Sequence, residues 1–199
     1  ASVRTWNKAS DATLYARWVA NQYTVTFGKA GGTGGTDSVT ATFGQAMPAV
    51  TPPTRRGYAF LGYWTGEGTV HHYDAAGKGL RNWDWWGTGY LEAHWRANSY
   101  TVEYWDKAGA SKVCPDGWFA YDSPGSLAQR PSSGVTTGYS AIGWAEAPNQ
   151  SAKRFDFGQR VTTEVATGGT KRLYLAEVLS SSLVSFDANG GSGGQQDAV

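Results

Sequence analysis

An internal repeat constrains the fold of this chain more than any other feature of its sequence. Residues 15–27, YARWVANQYTVTF, return within the stretch LEAHWRANSYTVEY at 91–104, and the matching positions are displaced by 77 residues. Self-similarity at a fixed offset indicates one structural unit that is copied along the chain. We therefore expect at least two units that fold in the same way.

The repeat also predicts where the units begin and end. Residues 57–64, GYAFLGYW, return at 138–145 as GYSAIGWA, and WDW at 83–85 returns as FDF at 155–157. The offset changes between these pairs, so the second copy has diverged in its connections. We expect four segments: the tail of a preceding repeat at 1–18, repeat one at 19–97, a diverged repeat two at 98–179, and the start of a following repeat at 180–199.

Each copy is predicted to be mainly β. The stretch YTVTF alternates at period two, which places Tyr23, Val25 and Phe27 on one face of a strand. A glycine-rich stretch follows, and alternation resumes in SVTATF, so the two strands are expected to form a hairpin whose turn uses positive φ angles. Around Asp84 a short polar side chain predicts one capped turn of helix.

Aromatic residues are expected to supply much of the core. The chain has ten Trp and eleven Tyr residues, and each large ring can bury roughly 150–250 Å². A unit of about 75 residues is small for an independent core, so this usage compensates for its size. We predict that the core includes Trp18, Tyr63, Trp95 and Trp144.

Charge and composition exclude several classes of partner. The formal net charge is +1, charged residues make up 17% of the chain, and basic residues form no run. Such a chain has no electrostatic footprint for nucleic acid or for an anionic membrane surface. No apolar stretch approaches 18 residues, so we expect no membrane insertion of this fragment. The single cysteine, Cys114, excludes an internal disulfide.

No motif in the sequence predicts an enzyme, a cofactor or a metal site. Cys114 lies in the turn-forming stretch VCPDGW, which occurs in one copy only. His71 and His72 are adjacent, so in a strand they point to opposite faces and cannot chelate one metal ion together. The glycine-rich strings lack the spacing of a phosphate-binding loop. An isopeptide bond from Lys29 or Lys107 is a further alternative, but Lys29 lies in the glycine-rich turn, which disfavours it.

The combined motifs resemble a known family. LYARW, VANQ, YTVTF, a turn such as FDANGGSGG, PTRRGYAFLGYW, WDW and a closing LEAHW are similar to the Listeria-Bacteroides repeat, also called the internalin B-repeat type. This resemblance implies small β-grasp-like units in tandem, within a mainly β (α+β) fold. Because the joining segments VANQ and RANS are short, we expect consecutive units to form an elongated rod. The resemblance also implies an extracellular location on the bacterial cell surface, with neighbouring repeats as partners and a role as stalk, spacer or part of an adhesin.

The segment NWDWWGTGY at 82–90 is the best candidate for a binding site. Trp85 and Trp86 have no aromatic counterparts in the equivalent stretch NKAS, so the shared fold does not require them. Exposed indole rings stack on sugars or anchor protein partners. We therefore predict a site for a glycan or a host extracellular protein at Asp84, Trp85 and Trp86, with Gln45, Arg55 and Arg56 at its rim. Under the alternative interpretation, the two Trp rings cap the core or pack on a neighbouring unit.

Overall fold

The computed structural model describes residues 5, 7–162, 165, 167–182 and 184. Most of the predicted following repeat at 180–199 lies outside these residues, as do residues 1–4 and 6 of the predicted tail. The chain divides into two compact units, one built from 1–30, 34–53 and 61–94, and the other from 31–33, 54–60 and 95–199. The repeat boundaries at 18, 97 and 179 stay a prediction.

The first sheet has five strands. They are β1 (Gln22–Gly28), β2 (Ser38–Thr42), β3 (Tyr58–Thr65), β4 (His71–Tyr73) and β5 (Gly89–Ala97), in the spatial order β2-β1-β5-β3-β4. Strands β1 and β2 form the predicted antiparallel hairpin. Strand β5 returns to lie parallel to β1, with Val25 opposite Gly89 and Gly28 opposite Glu92. The first and last strands of this repeat are therefore hydrogen-bonded neighbours.

The second sheet repeats this arrangement. The remaining strands are β6 (Ser99–Trp105), β7 (Lys112–Ala120), β8 (Gly125–Ser126), β9 (Tyr139–Ala145), β10 (Arg160–Val161) and β11 (Gly169–Leu179). Four of them form a sheet in the order β7-β6-β11-β9, while β8 and β10 pair separately. Strand β11 runs parallel to β6 and antiparallel to β9. The order β2-β1-β5-β3 in the first sheet is thus reproduced strand for strand.

The secondary structure confirms the mainly β prediction. In the part of the chain that the structure describes there is no helix. The helical turn predicted around Asp84 is therefore wrong. The preceding residue, Trp83, forms a bridge with Phe43; its N–H donates to the Gln45 carbonyl, and its own carbonyl accepts from the Gly44 N–H. These bonds hold the segment extended, and they outweigh the local capping preference of one polar residue.

Aromatic side chains fill the core as the composition predicts. Tyr63 and Trp144 are fully buried, which confirms both assignments. In the first sheet, the Phe27 ring lies 4.6 Å from the Tyr63 ring and 5.5 Å from the Tyr73 ring, measured between centroids. In the second sheet, the Trp144 indole N–H donates to the Ala128 carbonyl at 3.0 Å. Each core therefore contains a large ring on β3 or on its counterpart β9.

The other two residues predicted for the core, Trp95 and Trp18, are less buried. Trp95 is half-buried and packs against Phe60, with 5.3 Å between ring centroids. Trp18 is 90% exposed, so its assignment to a core is wrong. Trp18 aligns with Trp95, but in the described residues its segment forms no strand and pairs with none. Burial at this aligned position depends on the strand that carries it.

The repeated motif GYAFLGYW contains a glycine that the fold requires. A Cβ on Gly62 would lie 2.0 Å from the Tyr73 carbonyl oxygen, and the φ of Gly62 is +136°. At the aligned position in the second copy, a Cβ on Gly143 would lie 2.4 Å from the Phe155 carbonyl oxygen. In both copies the following segment pairs antiparallel with the strand next to this glycine, at Tyr63–Tyr73 and at Trp144–Phe155. A side chain on the glycine would displace that backbone.

The Gly62→Ala variant is expected to destabilise the first sheet by at least about 1–3 kcal/mol, because it combines backbone strain with a collision against main-chain atoms. Denaturant unfolding measures the change. Gly66→Ala is the matched control, since its new Cβ would meet only the edge of Tyr90 at 3.8 Å. Equal stability of the two variants would contradict the requirement for glycine at position 62.

Candidate functional site

The segment between β4 and β5 is fixed to the sheet by its backbone and by one large ring. The Asn82 side-chain amide donates to the Gly44 carbonyl at 3.0 Å, next to the backbone bonds of Trp83. The Trp83 ring lies against Gly89 at the start of β5, where a Cβ would come within 2.2 Å of it. Trp83 is only 3% exposed. The residues that follow Trp83 are thereby held at the surface in a defined position.

A cleft of about 510 Å³ opens between this segment and the loop after β3. Its lining includes Asp84 and Trp85 together with Arg81, His72, Trp83 and Tyr90. Trp85 is 65% exposed and Tyr90 is 53% exposed. A cavity of this size, with aromatic walls and a few polar groups, has the character of a small-ligand site.

The three predicted site residues do not share one surface. Asp84 and Trp85 line the cleft, whereas Trp86 lines a separate groove of about 210 Å³ with Tyr23 and Phe43. The Trp86 ring meets the Phe43 ring edge-on at 5.9 Å and remains 82% exposed. Adjacent positions in an extended segment point apart, which separates the two indoles. Neither of them caps the core in the described residues.

The residues predicted to rim the site lie elsewhere. Gln45 contributes its backbone carbonyl to the Trp83 N–H and does not line the cleft. The Arg55 guanidinium lies 3.9 Å above the Tyr58 ring, and neither Arg55 nor Arg56 reaches the cleft lining. The charged rim is instead formed by Arg81, which pairs with Asp84 at 3.3 Å, and by Glu67.

The floor of the cleft contains two buried polar groups that were not predicted from the sequence. His72 is 4% exposed, Trp83 is 3% exposed, and their ring centroids are 5.8 Å apart. His72 Nδ1 and Trp83 Nε1 have no hydrogen-bond partner in the structure. Burial lowers the pKa of the His72 imidazole, and the Arg81 guanidinium acts in the same direction. The neutral imidazole is therefore favoured in the folded chain.

The sequence contains only indirect signals for His72, Trp83 and Tyr90. The repeated WDW motif marked Trp83 as part of the fold, and it gave no sign that the Trp83 ring would form a cleft floor. The adjacent histidines were expected on opposite faces of a strand. His71 stacks on Trp64 with centroids 3.8 Å apart, while His72 lies beside Trp83. Tyr90 could have been found from alternation in β5, because its neighbour Leu91 is buried.

Repeat two carries a different arrangement at the equivalent position. Phe157, which aligns with Trp85, is half-buried and meets the Trp144 ring edge-on at 5.4 Å. Asp156, which aligns with Asp84, forms an ion pair with Lys153. The counterpart of Trp85 thus contributes to a core in this copy.

Other candidate groups show no activated chemistry. Burial raises the pKa of the Cys114 thiol, whereas a nucleophilic cysteine needs a lowered pKa. Among the residues that the structure describes, no three His, Cys, Asp or Glu side chains form a group that could hold a metal ion. Lys29 forms an ion pair with Asp37 at 2.6 Å, and the Lys107 ammonium lies 4.7 Å above the Tyr139 ring.

In the residues that the structure describes, no helix is long and apolar enough to cross a membrane.

Comparison with known proteins identifies the repeat. Residues 23–79 match the model of the Listeria-Bacteroides repeat domain. This match confirms, over these residues, the resemblance to that repeat family that the sequence motifs indicated. The match covers most of the first sheet and ends shortly before Asp84.

Two relatives extend the similarity over more of the chain. Both come from Evansella cellulosilytica (strain ATCC 21833 / DSM 2522 / FERM P-1141 / JCM 9156 / N-4). One, named "Putative membrane protein", is 31% identical over 151 residues, which is 75% of this chain and 22% of the relative. The other, named "Putative Gly-rich membrane protein", is 29% identical over 179 residues, which is 90% of this chain and 19% of the relative. The chain spans about one fifth of the length of these relatives. No solved structure matches it significantly.

The pH dependence of stability is expected to report on the cleft floor. Because burial lowers the folded-state pKa of His72, the unfolded chain takes up a proton first as the pH falls through about 6.5. Above that pH, His72 therefore does not lower the free energy of unfolding. Below it, the free energy of unfolding falls, because the unfolded chain binds the proton more readily than the folded chain. Urea unfolding between about pH 7 and about pH 5 should show this loss.

The matched variant for this measurement is His72→Phe, which keeps a buried ring and cannot titrate. Over this pH range, the free energy of unfolding of the variant should fall by less than that of the native sequence, because residue 72 no longer binds a proton. A decline of the same size in both proteins would show that His72 is not held neutral by the fold.

Proposed function

We propose that the chain is a pair of non-enzymatic, cofactor-free spacer repeats of a bacterial envelope protein, displayed outside the cell. The family match and the names of the two relatives support an envelope protein. The parallel pairing of first and last strands between antiparallel neighbours supports the β-grasp-like interpretation. In the parent protein, such repeats stack with adjacent repeats of the same polypeptide as an elongated rod and hold other domains away from the cell.

One observation carries the spacer proposal: the strands that enter and leave each copy are parallel neighbours. Tension along the chain enters the first copy at the start of β1 and leaves it at the end of β5. These two points lie at opposite ends of the shared ladder, so the strands are pulled past each other. All hydrogen bonds of the ladder then bear the load together, and no single bond breaks first.

Single-molecule force spectroscopy of the full chain tests the proposal. Pulling at the two ends should give two unfolding events of roughly 25 nm each, from about 3.6 Å per extended residue. The second copy should resist more force, because its parallel ladder runs from Tyr100 to Trp105, whereas that of the first runs from Val25 to Gly28.

The control changes only the direction of the load. Cysteine handles at Gln22 and Thr42, in a Cys114→Ser background, pull on paired ends of the β1–β2 hairpin and open its bonds one at a time. This geometry should open at a much lower force than the end-to-end geometry. Similar forces in the two geometries would contradict a load-bearing role.

A second candidate function is adhesion through the aromatic surface. The exposure of Trp85 and Trp86 favours it, because large rings at the surface form the centres of binding sites. The test is binding of the intact chain to panels of glycans and host extracellular proteins, with Trp85→Ala/Trp86→Ala as the comparison. A saturable ligand that the double variant no longer binds would support adhesion, and an empty panel would leave the spacer role alone.

A further inference from the structure

We propose that the cleft of repeat one, between the loop after β3 and the segment before β5, binds a neutral sugar ring of an extracellular glycan. The proposal rests on the adhesive candidate above and assigns it to one surface and one ligand class. It selects Trp85 and Asp84 as ligand contacts and leaves Trp86, which lines another groove, outside the site.

The aromatic walls suit the apolar face of a sugar. Trp85 and Tyr90 both line the cleft and both expose more than half of their surface. The C–H groups on one face of a pyranose ring present an apolar surface that stacks on such rings, while the hydroxyl groups point outwards. An indole held at the end of a backbone segment that is fixed by Trp83 offers this platform without a large ordering cost.

The polar rim favours a ligand without charge. Arg81 and Asp84 form an ion pair at 3.3 Å, so the guanidinium charge is already compensated. Glu67 adds a further carboxylate to the lining. A phosphate, a sulfate or a sugar acid would meet a net negative rim and would compete with Asp84 for Arg81. Hydroxyl groups can instead donate to the carboxylates and accept from the guanidinium at the same time.

The buried floor supplies the second, independent observation. His72 Nδ1 and Trp83 Nε1 are polar atoms without hydrogen-bond partners, on side chains that are more than nine-tenths buried. Native structures rarely leave such atoms unpaired, because each one costs stability. A hydroxyl group that reaches the floor, after a small movement of the lining, can pair with a ring nitrogen and an indole N–H. A protein partner with an apolar anchor would leave both atoms unpaired.

The experiment titrates the intact chain with neutral trisaccharides: cellotriose, maltotriose, laminaritriose, mannotriose and chitotriose. Trigalacturonic acid serves as the anionic probe. Binding is followed by calorimetry and by the NMR signals of the indole N–H groups. We expect at least one neutral probe to bind saturably and to shift the Trp83 and Trp85 indole signals. We expect trigalacturonic acid to bind at least tenfold more weakly.

Matched variants locate the site. Trp85→Ala should lower the affinity at least tenfold, and Asp84→Asn should lower it with the fold unchanged by circular dichroism. Trp118→Ala is the control, because Trp118 is 79% exposed on β7 in repeat two and should have no role. Affinity that falls equally in Trp118→Ala, or that is insensitive to Trp85→Ala, would overturn the assignment.

The remaining outcomes distinguish the sugar site from the adhesive function and from the spacer role. No binding by any neutral probe, or tighter binding of trigalacturonic acid, would overturn the sugar site. A protein ligand that requires Trp85 would also overturn it, while the adhesive function would stand. The spacer role is tested by force alone, so none of these results bears on it.

Discussion

The fold of each copy depends on one long-range interaction, the parallel pairing of its first and last strands. In the first sheet this pairing joins β1 to β5, and in the second it joins β6 to β11. Parallel neighbours cannot be joined by a tight turn, so the chain must leave the sheet and return to it. Everything between the two strands is shaped by that return. The sheet also stays incomplete until its last strand has been made, and such non-local closure slows folding.

The glycines and aromatic residues can be understood from the same constraint. The returning chain pairs closely with β3 and with its counterpart β9, and Gly62 and Gly143 leave room for its backbone in the two copies. Two large rings, Tyr63 on β3 and Trp144 on β9, are fully buried in the cores of the two copies. Each ring directly follows its glycine in the repeated motif, so the motif encodes the close backbone pairing and the core ring together.

Local patterns in the sequence predicted what depends on neighbours along the chain. Alternation in YTVTF gave β1, the glycine-rich stretch gave the hairpin, and the repeat gave two copies of one topology. Trp18 was assigned wrongly because its burial depends on pairing of its segment with another strand, and in the described residues that segment pairs with none. The helical turn at Asp84 failed for the same reason, since residues 43–46 hold the segment extended.

The candidate site was predictable to the same limited degree. The stretch NKAS offers no aromatic counterpart to Trp85 or Trp86, which marked both as additions to the fold, and both are exposed. Their separation into two grooves depends on the direction of an extended segment, which the repeat pattern does not encode. The same holds for His72 and Trp83, which meet only because β4 and the segment before β5 fold together.

The connection before the last strand has consequences for how such proteins evolve. In the first copy it carries β4 and the aromatic cleft, and in the second it carries β10, which pairs with β8. The four-stranded order is the same in both copies. Mutations at the exposed positions of this connection can therefore be sampled without loss of the sheet, so a gene that duplicates the repeat gains new surfaces on a conserved frame. Long arrays of this unit could diversify in what they contact while every member keeps the same framework.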